Sequence, residues 1–110
     1  MNHQRLICYQ FAMSIAKAMP SLLSGWPRGY YYLSDQIKRA ISSIVLNIAE
    51  GNARTSILER KRFFTIAMGS SSEVSSILDI AFAYHLIDET KSLYYQDLLL
   101  QIYKMLFKLK

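Results

Sequence analysis

The segment Ser34-Asp35-Gln36-Ile37-Lys38-Arg39-Ala40-Ile41-Ser42-Ser43-Ile44-Val45-Leu46-Asn47-Ile48-Ala49-Glu50-Gly51 sets the period for the chain. Ile37, Ile41, Ile44 and Ile48 recur every three or four residues, the spacing that lines one face of an α-helix. Ser34 is the expected N-cap, since its hydroxyl can accept from an orphan backbone N–H. Gly51 is the expected stop, since glycine tolerates the left-handed conformation that ends helices. Beside the isoleucines, Gln36, Arg39, Ser43, Asn47 and Glu50 fall in one narrow sector and form a polar line.

The same helical period extends in both directions, with no sustained alternation of the strand type. Upstream, Leu6, Tyr9, Met13, Ala16 and Met19 mark a core face for a helix from about Gln4 to Leu23. Pro20 is expected to kink or end that helix, and Ser24-Gly25-Trp26-Pro27-Arg28-Gly29 reads as a loop leading to Tyr30, Tyr31 and Tyr32. Downstream, Ser56 and Glu59 have capping-box spacing and open a third helix that runs to about His85, where the histidine reads as a helix-terminal cap. Phe63, Ile66, Ala67, Val74, Ile77 and Ala81 give this helix its core face. The polar run Gly69-Ser70-Ser71-Ser72-Glu73 interrupts it, and a mid-helix glycine costs about 1 kcal/mol against alanine, so a close backbone approach is expected at Gly69.

A fourth helix begins near Asp88 or Thr90 and confines its later polar residues, Asp97, Gln101, Lys104 and Lys108, to one strip. The rest of its circumference is apolar, more than one core face can use, so it is expected to pack against another subunit as well as its own bundle. The alternative is a wide core face with tyrosines at its rim.

Length and composition narrow the class. One hundred and ten residues make a single domain spanning 1–110. A net charge of +5 permits an acidic partner, while 19% charged residues falls short of a tail-like excess. The lone Cys8 in an apolar helical stretch reads as a buried packing thiol in a reducing compartment. Lys17, Asp79, Asp97 and Lys104 break the apolar stretches below the roughly 18 residues that span a bilayer, and no signal peptide is read at the start, so a soluble, cytoplasmic protein is expected.

Helix three carries a second polar line, Arg62, Thr65, Gly69, Ser72, Glu73 and Ser76. If the two lines face each other they form a structural network across a close helix contact; a ligand pocket is the alternative. Arg54, Arg60, Lys61 and Arg62, with Lys38 and Arg39 on the preceding helix, form a basic cluster suited to phosphates. A solvated face ion-paired to Glu50 and Glu59 is the competing reading. Nearby stacking residues are Phe63, Phe64 and Tyr30 to Tyr32, which favours backbone contact over base readout. Signals for catalysis are weak. His3 and His85 lack metal-ligand spacing, there is no phosphate-cradling glycine loop, and the Glu-x-x-His repeats of di-metal bundles are missing, so no enzyme, metal or cofactor is expected.

Leu33 to Ala40, Ser43, Asn47-Ile48-Ala49-Glu50-Gly51, Arg54, Ser56, Glu59, Arg62-Phe63 and Ile66-Ala67-Met68-Gly69-Ser70 with Glu73 together resemble the bacterial 23S ribosomal RNA intervening-sequence proteins. Tyr9-Gln10 and Lys104-Met105-Leu106 extend the resemblance over nearly the whole chain. It implies an all-α, up-down antiparallel four-helix bundle that assembles into a ring, typically a homopentamer. A related branch serves diversity-generating retroelements, where the ring associates with a reverse transcriptase and nucleic acid. Carried over, Lys38, Arg39, Arg54, Arg60, Lys61 and Arg62 become the residues for acidic partners, and Gln36, Asn47, Glu50, Gly69, Ser70 and Glu73 the structural polar network. The chain departs from the family at Ser43-Ile44-Val45-Leu46-Asn47, where relatives often read Ser-Ile-Pro-Ser-Asn, so a more regular second helix is expected. Trp26-Pro27-Arg28-Gly29 also stands where an acidic residue is common. The expected function is a non-enzymatic oligomer that binds RNA or DNA through its basic surface; the alternative is a protein-interaction scaffold for a reverse transcriptase or other polymerase.

Overall fold

The computed structural model describes residues 2–110 and contains four long helices, α1 (His3–Leu23), α2 (Tyr31–Ala53), α3 (Ile57–Ala83) and α4 (Glu89–Leu109). Each helix packs on its neighbours in chain order and α1 also packs on α4, which closes an up-down antiparallel bundle 44 × 23 × 19 Å in extent. The core is built from Ile15, Ile37, Ile41, Ile44, Ile48, Phe64, Leu78, Ile102 and Leu106, all essentially inaccessible to solvent. Among the described residues no helix is long and apolar enough to cross a membrane.

Local chemistry sets most helix ends. Asn2 Oδ1 accepts from the Gln4 and Arg5 backbone N–H groups at 2.7 and 3.3 Å, Ser56 Oγ from Glu59 N at 3.3 Å, and Asp88 Oδ1 from Lys91 N at 2.8 Å. α3 closes with a Schellman arrangement: Leu86 N donates to Ala81 O at 2.8 Å and His85 N to Phe82 O at 3.0 Å, with His85 left-handed at φ 60°. The helix-terminal reading of His85 holds.

Three expectations need correction. Ser34 does not cap α2, which starts at Tyr31 directly from a 3-10 turn at Arg28–Tyr30; the turn supplies Arg28 O for the Tyr31 N–H, so no side-chain cap is used and Ser34 is buried. Gly51 does not stop α2 either, since the helix runs on to Ala53 and the glycine is buried inside it. In α1 the core face is Cys8, Ala12, Ile15 and Leu22, one residue round from the expected stripe, and Leu6 is exposed. Pro20 sits in the last turn of α1, which continues past it to Leu23. α2 is unbroken through Val45-Leu46, as the missing proline implies, and Leu46 stands on the surface. Burial pushes the Cys8 thiol up to about 11, so it stays protonated and inert.

Candidate nucleic-acid interface

The antiparallel topology gathers the α1 start, the α2–α3 turn and the α4 terminus at one end of the bundle. A shallow pocket lined by Gln4, Ile7, Met105, Lys108 and Leu109 shows the first and last of these in contact. Of the thirteen Lys and Arg residues, eight belong to this end: Arg5, Arg54, Arg60, Lys61, Arg62, Lys104, Lys108 and Lys110. The carboxylates among the same segments are Glu50 and Glu59, whereas Asp35, Asp79, Asp88 and Glu89 lie toward the opposite end and Glu73 and Asp97 near mid-helix. The modest net charge is therefore strongly polarised along the long axis.

The α2–α3 turn positions its cations in three ways. Arg54 Nη2 pairs with Glu50 Oε2 at 2.7 Å across one helical turn, and both side chains are about half exposed, so the pair adds little stability. Arg60 Nη2 donates to the Arg54 carbonyl at 3.4 Å, which ties the start of α3 to the end of α2. The Arg54 and Arg62 guanidinium carbons lie 5.2 and 6.0 Å from the Phe63 ring centroid, so the ring holds both heads near the surface. Lys61 and Arg62 are exposed.

Part of the predicted basic cluster does not join this group. Lys38 and Arg39 lie one-third of the way along α2, and the residues separating Lys38 from Arg54 put them about 24 Å apart along the helix axis. They line a different depression with Ser42, Ser43, Leu46 and Asn47. In their place the fold supplies Arg5, Lys104, Lys108 and Lys110, which sequence reasoning missed. The up-down topology itself was the available signal, because it places the two chain ends beside the α2–α3 turn.

The polar network is also smaller than expected. Ser43 Oγ and Ser70 Oγ are hydrogen-bonded at 2.7 Å across the α2–α3 seam, and Asn47 Nδ2 donates to Ser43 O and Oγ at 2.8 and 3.1 Å. Gln36, Glu50, Gly69 and Glu73 are exposed, and Glu50 turns to Arg54 on its own helix. The α3 polar line points outward, and the link across the seam runs from Ser43, held by Asn47 on its own helix, to Ser70 beside that line. An unforeseen second network links α3 to α4. Gln96 accepts from Ser75 Oγ at 2.6 Å and donates to Ser75 O at 2.9 Å and Asp79 Oδ1 at 3.0 Å. Beside it runs a groove of ≈ 520 Å³ lined by Ser72, Ser76, Leu99, Leu100 and Tyr103. Leu93, Tyr94, Leu100, Tyr103 and Phe107 are exposed on α4, the apolar surplus seen in its sequence.

Among the described residues no group of three His, Cys, Asp or Glu side chains is placed to hold a metal ion. The fold is similar to a crystal structure from Bacteroides thetaiotaomicron, described as a protein of unknown function from the S23 ribosomal protein family. That similarity has a TM-score of 0.86 at 19% identity and covers 96% of each chain. No curated protein matches. Residues 4–108 match the family described as 23S rRNA-intervening sequence protein, and the chain, a four-helix bundle, belongs to that family.

Proposed function

We propose that this protein is a non-enzymatic, cytoplasmic homo-oligomer that binds RNA or DNA through the basic end of its bundle. The observation that carries this reading is the concentration of eight cations against two carboxylates at that end. Phosphates would meet Arg60, Lys61 and Arg62 first, with Arg5 and the α4 lysines widening the footprint. Lys38 and Arg39 serve a separate patch.

Binding that engages about four phosphates weakens on the order of 10²-fold between about 50 and about 200 mM salt. Replacing Arg60, Lys61 and Arg62 together by alanine should cut affinity for every sequence alike and reduce the salt slope by about three. Fluorescence anisotropy with labelled RNA and DNA reads both quantities. No binding by the parent protein at low salt would sink the reading.

A second reading rests on the exposed apolar strip of α4. Leu93, Leu100 and Phe107 recur every seven residues beside the α3–α4 groove, the pattern of a helix awaiting another helix. It supports self-assembly into a ring, a pentamer by family resemblance, or a scaffold that docks a reverse transcriptase or other polymerase. Such docking survives moderate salt and is lost with Leu100→Ser, whereas nucleic-acid binding is not.

A further inference from the structure

Ile57 and Leu58 are the most exposed large hydrophobic side chains of the described chain, at 74% and 78%, and they are adjacent. They form the first turn of α3 at the tip of the basic end, between Arg54 on one side and Arg60 and Lys61 on the other. The carboxylates in the same turn region are Glu59 and Glu50, the latter already paired with Arg54. Two aliphatic side chains displayed in water on a turn that also carries Arg54, Arg60 and Lys61 suit a partner that is anionic outside and apolar inside.

The aromatic residues of the α2–α3 turn are engaged elsewhere. Phe64 is buried in the core, and Phe63 lies beneath the Arg54 and Arg62 guanidinium groups. Phe107 carries the Lys110 amine 5.3 Å from its ring centroid. Tyr31 and Tyr32 belong to the opposite end of the bundle. The α2–α3 turn thus presents no free ring of the kind single strands stack on, and offers an aliphatic point instead; the exposed rings of this end, Tyr103 and Phe107, stand on α4. Aliphatic side chains flanked by cations are the means by which proteins part a base step in a duplex, and the insertion is easiest where stacking is already broken.

We propose that Ile57 and Leu58 are a wedge that enters an unstacked step of duplex nucleic acid while Arg54, Arg60, Lys61 and Arg62 hold the phosphates on either side. This rests on the nucleic-acid reading above and names its preferred substrate: a duplex carrying a bulge or nick, rather than a continuous duplex or a single strand.

The test compares three labelled probes of equal length, a continuous duplex, a bulged duplex and a single strand, each made as DNA and as RNA. The parent protein should favour the bulged duplex by about tenfold. Ile57→Ser with Leu58→Ser should abolish that preference while keeping the salt slope, and its unchanged melting temperature would show that the exposed pair is not needed for folding. The Arg60, Lys61 and Arg62 alanine variant should weaken all three probes and keep the preference ratio. Equal binding of the three probes by the parent protein, or a preference that survives the serine pair, overturns the wedge and leaves the nucleic-acid reading standing. No binding to any probe overturns both. If the serine pair instead loses sedimentation with phosphatidylglycerol–phosphatidylcholine vesicles and binds every probe as before, the apolar point belongs to a lipid surface and the wedge is refuted.

Discussion

At Gly51 the α2 backbone closes on the Phe64 ring of α3, whereas at Gly69 the surface of α3 lies open. A Cβ at Gly51 would stand 2.5 Å from Phe64 Cε1 and 2.7 Å from Cδ1, too close for any side chain. A Cβ at Gly69 would have nothing within 4 Å. The difference teaches that a glycine inside an apolar helix carries two meanings. One marks a seam drawn tight around an aromatic ring; the other is a helix-weakening residue that the monomer's own packing does not explain.

The contrast is broken most forcefully by Gly51→Ala. The methyl must displace the fully buried Phe64 ring, so stability should fall by about 1–3 kcal/mol. Thermal unfolding would register that as a drop of at least about 4 °C, and Phe64→Leu in the same chain should recover part of it. A smaller effect is expected from Ser70→Ala on the same seam. It removes the Ser43 hydroxyl's partner across the helices and should cost about 1 kcal/mol in a denaturant titration. Smallest, and opposite in sign, is Gly69→Ala, which should add about 0.5–1 kcal/mol by helix propensity alone. A gain at all protein concentrations identifies an open surface in solution; a loss that grows with concentration places a second backbone against Gly69.

The sequence announced the close approach and put it at the wrong glycine. Helix period, the Ser56 cap and the Asp88 start could be read directly, because each depends on neighbours within one turn. Which glycine faces an aromatic ring depends on the rotation of α2 against α3, and no local signal carries that angle. The shift of the α1 face has a related cause: Tyr9 and Met13 are as apolar as Cys8 and Ala12, so hydropathy alone does not orient the helix. The candidate site divides in the same way. Arg54 and Arg60 to Arg62 were legible as one cluster since a single turn joins them. Arg5, Lys104, Lys108 and Lys110 come to it only through the antiparallel path of the chain, and Lys38 with Arg39 leaves it by the straightness of a helix that no proline bends.

The uneven placement of charge gives the molecule a permanent electric moment along its 44 Å axis, positive where the α2–α3 turn lies. In the field of a polyanion such a body turns before it touches, so its productive face arrives first and encounters are accelerated at low ionic strength. Copies related by rotation about an axis parallel to their helices keep every positive pole on the same side, and their moments add. Copies related by a two-fold axis across the helices would cancel them. The symmetry of any assembly therefore decides whether the basic ends act as one continuous rim or as two opposed caps.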